Sequence, residues 1–447
     1  MTDLPALADA LLHAARRAGA EAADALVVEA ASVSVDVLRG RLEQAERAEG
    51  IDLGLRVLVG RRQACVSASD ASPATLERMA ERAVAMAREA PEDPHVGLAP
   101  PEALARERDA AALDLVDAEP PLPPVALQDM AARAEAAALA VAGVTQVGSA
   151  GASQNDRRVH LAATNGFSGG YRRTGTQLSC VAITGEGTAM ERDWYGDARV
   201  HRAELDAPEA VGQQAAERAV ARAGATKPPT GAVPVVFDER VAGTLIGHLL
   251  AAINGSAVAR GATFLRDALG EAVLPDGMTL TEDPLMPRMS GSRPFDAEGL
   301  PTRARDLVAG GVLEGWVLDL ATGRRLGMVS TANAARGPSG PPMPQVTNLR
   351  LTPGDTDRDG LLARMGTGLL VTQLIGSSVN ATTGDYSRGA SGFWVEGGRI
   401  VRPVNECTIA GNLRPMLRSL VAANDARPHV GRQVPSLLVE GLTIAGA

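Results

Sequence analysis

Aromatic side chains are scarce in this sequence. Phe, Trp and Tyr make up 2% of its 447 residues. Its cores must therefore be filled mainly by Ala, Val, Leu and Ile, and base-stacking platforms for single-stranded nucleic acid are not expected. Cysteine is rarer still. Cys65, Cys180 and Cys407 lie far apart, with no CxxC and no zinc-type spacing, and an odd count leaves at least one thiol unpaired. That usage predicts a reducing, cytoplasmic setting. No block of Lys or Arg stands out in a chain of net charge −9, so no general nucleic-acid surface is expected. The start of the chain has neither a basic n-region nor an apolar h-region. The longest apolar run, residues 241–253, is broken by Gly, Thr and His and is too short to span a bilayer. Nucleotide and hydrolase signatures are missing too. There is no GxxxxGK[ST] and no GxSxG, Gly366-x-Gly368 continues with Val371, and Ser391 lacks the last glycine of a nucleophile elbow.

What is present is a globular composition, 45% apolar, long enough for two or three domains with large cores. Helical spacing of Leu7, Leu11, Leu12 and Ala15 predicts a helix over residues 4–17, closed by Gly19. Strands are expected at 25–29, 33–39, 51–59 and 63–67. A helix follows at 73–89, with Ser72 as its cap and Pro73 at its first position. Residues 90–124 are proline-rich and read as a connection. The pattern then runs again: a helix at 125–141, strands at 144–148, 158–163, 169–183 and 188–192, and a helix at 207–223, with Asn165-Gly166 as a hairpin turn. The order of elements suggests two similar α+β halves, about 1–90 and 125–226, within an N-terminal domain 1–226.

Lys227-Pro228-Pro229 opens a second domain, 227–447. A buried strand at 233–237 leads through Asp238, a candidate cap, into a helix to about residue 253. Short β segments follow, with Gly310-Gly311 and Gly397-Gly398 as hairpin turns, then a helix at 413–422 and a strand at 436–442. The fold class expected is α+β: an N-terminal α/β sandwich-like region of antiparallel strands with helices, then a mostly antiparallel β domain.

The chemistry concentrates in residues 366–413. A Gly-, Ser- and Thr-rich loop holds four consecutive polar groups: Asp385, Tyr386, Ser387 and Arg388. This region, with VNATTGDYSRGASGFWVEGG and TIAGNL, resembles the C-terminal signature of the TldE/PmbA family, the partner branch of the TldD/TldE metallopeptidases. Thr263-Phe264-Leu265, Asp193-Trp194-Tyr195 and the ending from Pro435 to Gly446 match the same pattern.

The resemblance makes the helix after Phe237 critical. The TldD branch carries HExxxH there, two metal-binding histidines and a glutamate base. Here the segment is Gly243-Thr244-Leu245-Ile246-Gly247-His248, and only the last histidine remains. His13, His95, His160, His201 and His429 show no ligand spacing. The resemblance implies a chain with no metal or other cofactor of its own, paired with a TldD-like subunit that carries a divalent metal. Such a pair would process unfolded or modified peptides inside an enclosed chamber. Asp385, Tyr386, Ser387, Arg388 and His248 are then the candidates for its wall. Two alternatives stand beside those roles: Asp385 and Arg388 pairing with each other, and His248 as an ordinary core residue with a satisfied hydrogen bond. A second function is a regulatory or binding homodimer without peptidase activity, in the manner of a gyrase modulator. Cys407 is expected to be a buried, inert thiol.

Overall fold

The structure, a computed structural model, describes residues 2–446. Helix α1 (Leu4–Ala18) begins at Asp3, whose carboxylate accepts the Ala6 N–H, and ends at Gly19 with φ 99°. Strands β1 (Ala22–Leu38), β2 (Arg41–Val59) and β3 (Arg62–Ala68) form a meander, and helix α2 (Pro73–Glu89), capped by Ser72, packs back on it. Beyond the proline-rich connection the same order recurs: α3 (Pro124–Leu139), β4 (Val144–Ala163), β5 (Ser168–Thr184), β6 (Glu191–Arg199) and α4 (Pro208–Val220). β1 and β4 pair antiparallel from Asp24 opposite Ala163 to Val37 opposite Ala150, so one sheet runs β3-β2-β1-β4-β5-β6. Its two faces part company as the period-2 alternation requires. Ala25, Val27, Leu53 and Leu55 lie under α1 and α2, and Ala150, Ala152, Leu178 and Cys180 under α3 and α4. The opposite face, with Leu26, Val28 and Leu161, packs on Phe295 from the second half of the chain.

That second half begins with β7 (Gly231–Phe237), α5 (Glu239–Ala252) and α6 (Gly255–Ala259). Short pieces follow: β8 (Leu280–Glu282), β9 (Arg305–Ala309), β10 (Val312–Leu313), α7 (Leu320–Leu326), β11 (Ala334–Ala335), β12 (Met343–Pro344), β13 (Leu349–Leu351) and α8 (Arg358–Met365). Then come β14 (Gly368–Val379), β15 (Asp385–Glu396), β16 (Arg399–Asn412), α9 (Leu413–Arg418), β17 (Val421–Ala422), β18 (Arg432–Gln433) and β19 (Leu437–Ala445). The strands order as β16-β15-β14-β7-β19, and β16 pairs back onto β19 with Ile409 opposite Ile444, which closes a five-stranded barrel. Only the β7–β14 contact in that ring is parallel. α5 sinks Leu245, Ile246 and Leu249 into the core shared with Phe237, Leu369, Val371 and Leu437. The chain is thus an α+β protein with mostly antiparallel sheets.

Several expected boundaries move. The strands predicted at 25–29 and 33–39 are one strand, β1, and those at 144–148 and 158–163 are one strand, β4. The Gly/Ser-rich middle of β4 resembles a turn in sequence, yet it is small for packing: a Cβ on Gly151 would lie 2.4 Å from Asp36 Oδ1. The strand expected at 188–192 begins at Glu191, after a single tight turn at Gly187–Ala189. The helix expected over 413–422 stops at Arg418 and gives way to β17. The polar run Asp385 to Arg388 is not in a loop but opens strand β15. The three hairpin turns do form. At Gly397-Gly398 both residues have positive φ, 56° and 74°, as a two-residue hairpin loop requires.

Candidate functional site on helix α5 and strand β15

α5 starts at Asp238, whose carboxylate accepts from the Arg240 N–H at 3.2 Å and Nε at 2.9 Å and from Arg358 Nη1 at 3.3 Å. Burial alone would push this carboxyl up, but Arg240 and Arg358 win and hold it below its usual value. Arg240 also bridges to Asp193 of the N-terminal sheet at 3.3 Å, which ties the helix start to the other lobe. Glu239 next to it is raised by burial, although Arg427 Nε reaches it at 2.9 Å.

One turn from its end the helix carries His248. Its Nε2 is buried with no hydrogen-bond partner among the described residues. The ring meets Tyr386 of β15 at 5.8 Å between centroids and 75° between planes. Tyr386 is 2% exposed, and its hydroxyl also has no partner among the described residues. Arg388 stands two residues along the same strand, hence on the same face. Its Nε donates to the Gly376 carbonyl at 2.7 Å. Burial, then Arg388, lowers the His248 pKa, so the ring is neutral at pH 7. Burial pushes the Tyr386 phenol up to about 12 against the pull of Arg388, so it stays a donor. The site thus holds a neutral imidazole, a protonated phenol and a guanidinium on two facing elements.

Asp385 and Ser387 alternate onto the other face of β15. Asp385 accepts from Thr383 Oγ1 at 2.6 Å and Asn412 Nδ2 at 3.0 Å, and those bonds lower its pKa. It makes no pair with Arg388. Ser387 sits opposite Ser378 and Ala410 in the sheet. Ser378, Val379, Asn380, Asp385, Tyr386 and Ser387 border a shallow depression of about 470 Å³. Of the five residues expected together, three meet (His248, Tyr386, Arg388) and two face away. His248 is no ordinary core histidine either, since its buried nitrogen is unsatisfied. The sequence pieces that carry the family resemblance also converge: Phe264 N–H donates to Ala381 O at 2.8 Å and Leu413 N–H to Gly384 O at 2.7 Å.

A divalent metal does not fit α5. Gly243 offers no donor and faces open space, and the Thr244 hydroxyl is spent on the Val241 carbonyl at 2.6 Å. Among the described residues no three His, Cys, Asp or Glu side chains form a metal-holding group. Cys407 donates to the Ala390 carbonyl at 3.2 Å, and burial pushes its thiol up to about 11, as suits an inert thiol.

Sequence reading missed a second concentration of polar groups. A cavity of about 500 Å³ between the N-terminal sheet and the second lobe is lined by Arg157, Arg173, Arg293, Arg336 and Arg432. One local signal existed. Arg157-Arg158 and Arg172-Arg173 are nearly equidistant from the Asn165-Gly166 turn, so hairpin register must bring them together.

The comparisons with known proteins give the class first. Three family models match along the chain: PmbA/TldA metallopeptidase domain 1 at residues 23–87, the central domain at 117–223 and the C-terminal domain at 230–446. It is 37% identical to the Metalloprotease PmbA of Escherichia coli O157:H7 over 95% of this chain and 92% of that protein. The chain therefore belongs to the PmbA/TldD metallopeptidase family. Among solved structures it superposes on a Bacteroides thetaiotaomicron protein, described as a candidate modulator of DNA gyrase, with a TM-score of 0.89, 29% identity and full coverage of both chains. TldE from Thermococcus kodakarensis shares the fold, with a TM-score of 0.84, 21% identity, and 98% and 100% of the two chains covered.

Proposed function

We propose that this chain is the non-metal subunit of a cytoplasmic TldD/TldE-type peptidase that trims unfolded or modified peptides. A TldD-like partner supplies the divalent metal and the base. This chain supplies interface and part of the chamber wall. The observation that carries the reading is the donor set of α5: one imidazole, with Gly243 and Thr244 where a second ligand and a carboxylate are needed. Three further features support it. His248, Tyr386 and Arg388 offer an acceptor or donor, a donor and a cation suited to a peptide backbone. Residues 41–50 of β2 are exposed along an edge that β3 does not cover, and Ile375 of β14 is 68% exposed, surfaces fit for a partner chain. The three thiols are free, and no described helix is long and apolar enough to cross a membrane.

The test is reconstitution. The chain is mixed with a cognate TldD-like subunit and cleavage of an unfolded peptide is followed with and without chelator. Cleavage that needs both chains and a metal is the expected result. Full activity from the partner alone would reject the reading and favour a regulatory homodimer. So would a stoichiometric divalent ion held at His248 in the purified chain.

A further inference from the structure

The cavity between the lobes gathers five arginines around a single carboxylate, Asp296. On the N-terminal sheet its wall is the odd-numbered face of the β4–β5 hairpin: Arg157, Val159 and Leu161 beside Tyr171 and Arg173. Arg157 lies directly opposite Arg173, a like-charge cross-strand pair that works against the hairpin. The even-numbered face of the same hairpin has the same problem and solves it. There Arg158 is paired with Glu29 at 2.7 Å and Arg172 with Asp156 at 2.6 Å. No carboxylate does this on the cavity side. Among the described residues Arg157 has no hydrogen-bond or ion-pair partner. Arg173 spends its donors on the Ser290 and Ser292 carbonyls. Burial drives the Arg173 pKa down and Arg157 and Arg293 add to it, while the Tyr171 hydroxyl opposes the shift; the Tyr171 ring lies 5.1 Å from the guanidinium.

The second lobe adds more unspent donors. Nε and Nη2 of Arg293 are buried without an acceptor, and so are Nε and Nη2 of Arg336, whose side chain is 0% exposed. Arg336 gives only its Nη1, to Asp24. The one carboxylate in the lining, Asp296, is occupied by the backbone N–H groups of Glu298, Leu300 and Ala334. A buried guanidinium edge with no acceptor is costly, and folded proteins keep such groups where something else completes them. Beside this cation-rich wall stand the rings of Tyr171 and Phe295, 5.7 Å apart, and the buried Asn348 Oδ1, an acceptor with no donor. Arg432 carries the cavity toward α5, its Nη1 lying 3.8 Å from where a Cβ of Gly247 would be.

We propose that this cavity binds the free carboxyl end of a peptide: the carboxylate held by Arg293 and Arg157 with the buried Arg336 guanidinium behind them adding positive charge, the last residue's N–H toward Asn348, and its apolar side chain against Tyr171 and Phe295. Guanidiniums hold carboxylates in a two-pronged fork, and the cavity has the volume of a small-ligand site, roughly 300–1,000 Å³. The proposal builds on the peptide-processing reading but needs neither partner nor metal, so the two can fail separately. The experiment is calorimetric titration of the isolated full chain with N-acetyl-phenylalanine, its carboxamide, and phenyl phosphate. The acid is expected to bind and the amide to bind at least tenfold more weakly. Arg293→Gln is expected to weaken the acid at least tenfold. Arg157→Gln, which breaks no contact within the chain, is expected to weaken it severalfold with the circular dichroism spectrum unchanged. Equal binding of acid and amide, unaltered affinity in both variants, no binding of the acid at millimolar concentration, or preference for phenyl phosphate would overturn the proposal.

Discussion

The imidazole of His248 on α5 rests edge-on against the ring of Tyr386 on β15, their centroids 5.8 Å apart, and each carries a buried polar atom with no partner among the described residues. Two elements separated by more than a hundred residues thus present unspent hydrogen-bonding capacity at one spot. Burial sets their charge states, lowering the imidazole and raising the phenol, and Arg388 beside them pulls both pKa values down.

The His248 ring is expected to titrate below its ordinary value of 6.5. The sign for stability follows: the unfolded chain takes up this proton first, so folding loses free energy as pH falls below about 6.5 toward the folded pKa. Removing the charge in Arg388→Gln should raise the His248 pKa, because one of the two forces lowering it is gone. Imidazole proton shifts in an NMR titration of both proteins measure this. An unchanged midpoint would mean that burial acts alone. In the same region Tyr386→Phe removes a hydroxyl that has no partner, so stability should hold or rise by up to about 1 kcal/mol in urea unfolding.

Asp24 is buried between Arg56, whose Nη2 is 2.5 Å away, and Arg336, and it joins β1 to the second lobe. Burial opposes its charge, yet the two arginines hold its carboxyl below the usual 3.8. Its stabilising contribution is full above that value and is lost as pH falls through the folded pKa. Asp24→Asn leaves two buried guanidiniums short of an anion and should cost about 3–5 kcal/mol. Denaturant midpoints at pH 7 read this directly, and a loss below 1 kcal/mol, roughly that of an exposed pair, would contradict it.

Glu298 behaves in the opposite sense. Burial first, then Asp296, hold its carboxyl well above the usual range, while its Oε2 accepts the Leu320 N–H at 2.8 Å. A raised folded pKa gives stability that is present at low pH and is lost as pH rises. Glu298→Gln keeps the acceptor and discards the titration. Its melting temperature should equal or exceed wild type at pH 8, and the two proteins should converge near pH 4.5. A variant less stable than wild type at pH 8 would show that Arg56 needs this carboxylate charged.

Two helical glycines should respond in opposite directions. A Cβ on Gly212 of α4 would come within 1.9 Å of the Ala134 carbonyl of α3, so Gly212→Ala must part the helices and should cost about 1–3 kcal/mol. A Cβ on Gly243 of α5 meets nothing within 4 Å. Gly243→Ala should therefore stabilise by roughly 0.5–1 kcal/mol through the unfolded chain's lost freedom. Thermal unfolding of both variants decides it.

Local chemistry was legible in the sequence. Ser72 and Asp238 were readable as caps, and Asn165-Gly166, Gly310-Gly311 and Gly397-Gly398 as turns, because each effect acts within four residues. The family signature was legible because its pieces are contiguous. Strand length was not, since the small residues of β4 answer to a neighbour, Asp36, that lies far away in sequence. Nor was the orientation of the polar run. With the run taken as a loop, nothing placed Tyr386 and Arg388 on one face and Asp385 and Ser387 on the other. Once it is a strand, alternation does so at once. The arginine cavity draws on both lobes, and only its hairpin portion could be worked out from register.

The closure of the barrel bears on how the protein is made. β7 leaves the ribosome well before both of its neighbours, β14 and β19, and β19 spans Leu437–Ala445. The lobe that holds α5 therefore cannot seal until β19 has been made, while the N-terminal sheet is free to form beforehand. A nascent chain arrested before β19 would display β7 and β16 as open edges, so truncations that remove β19 should yield aggregates instead of a smaller soluble protein.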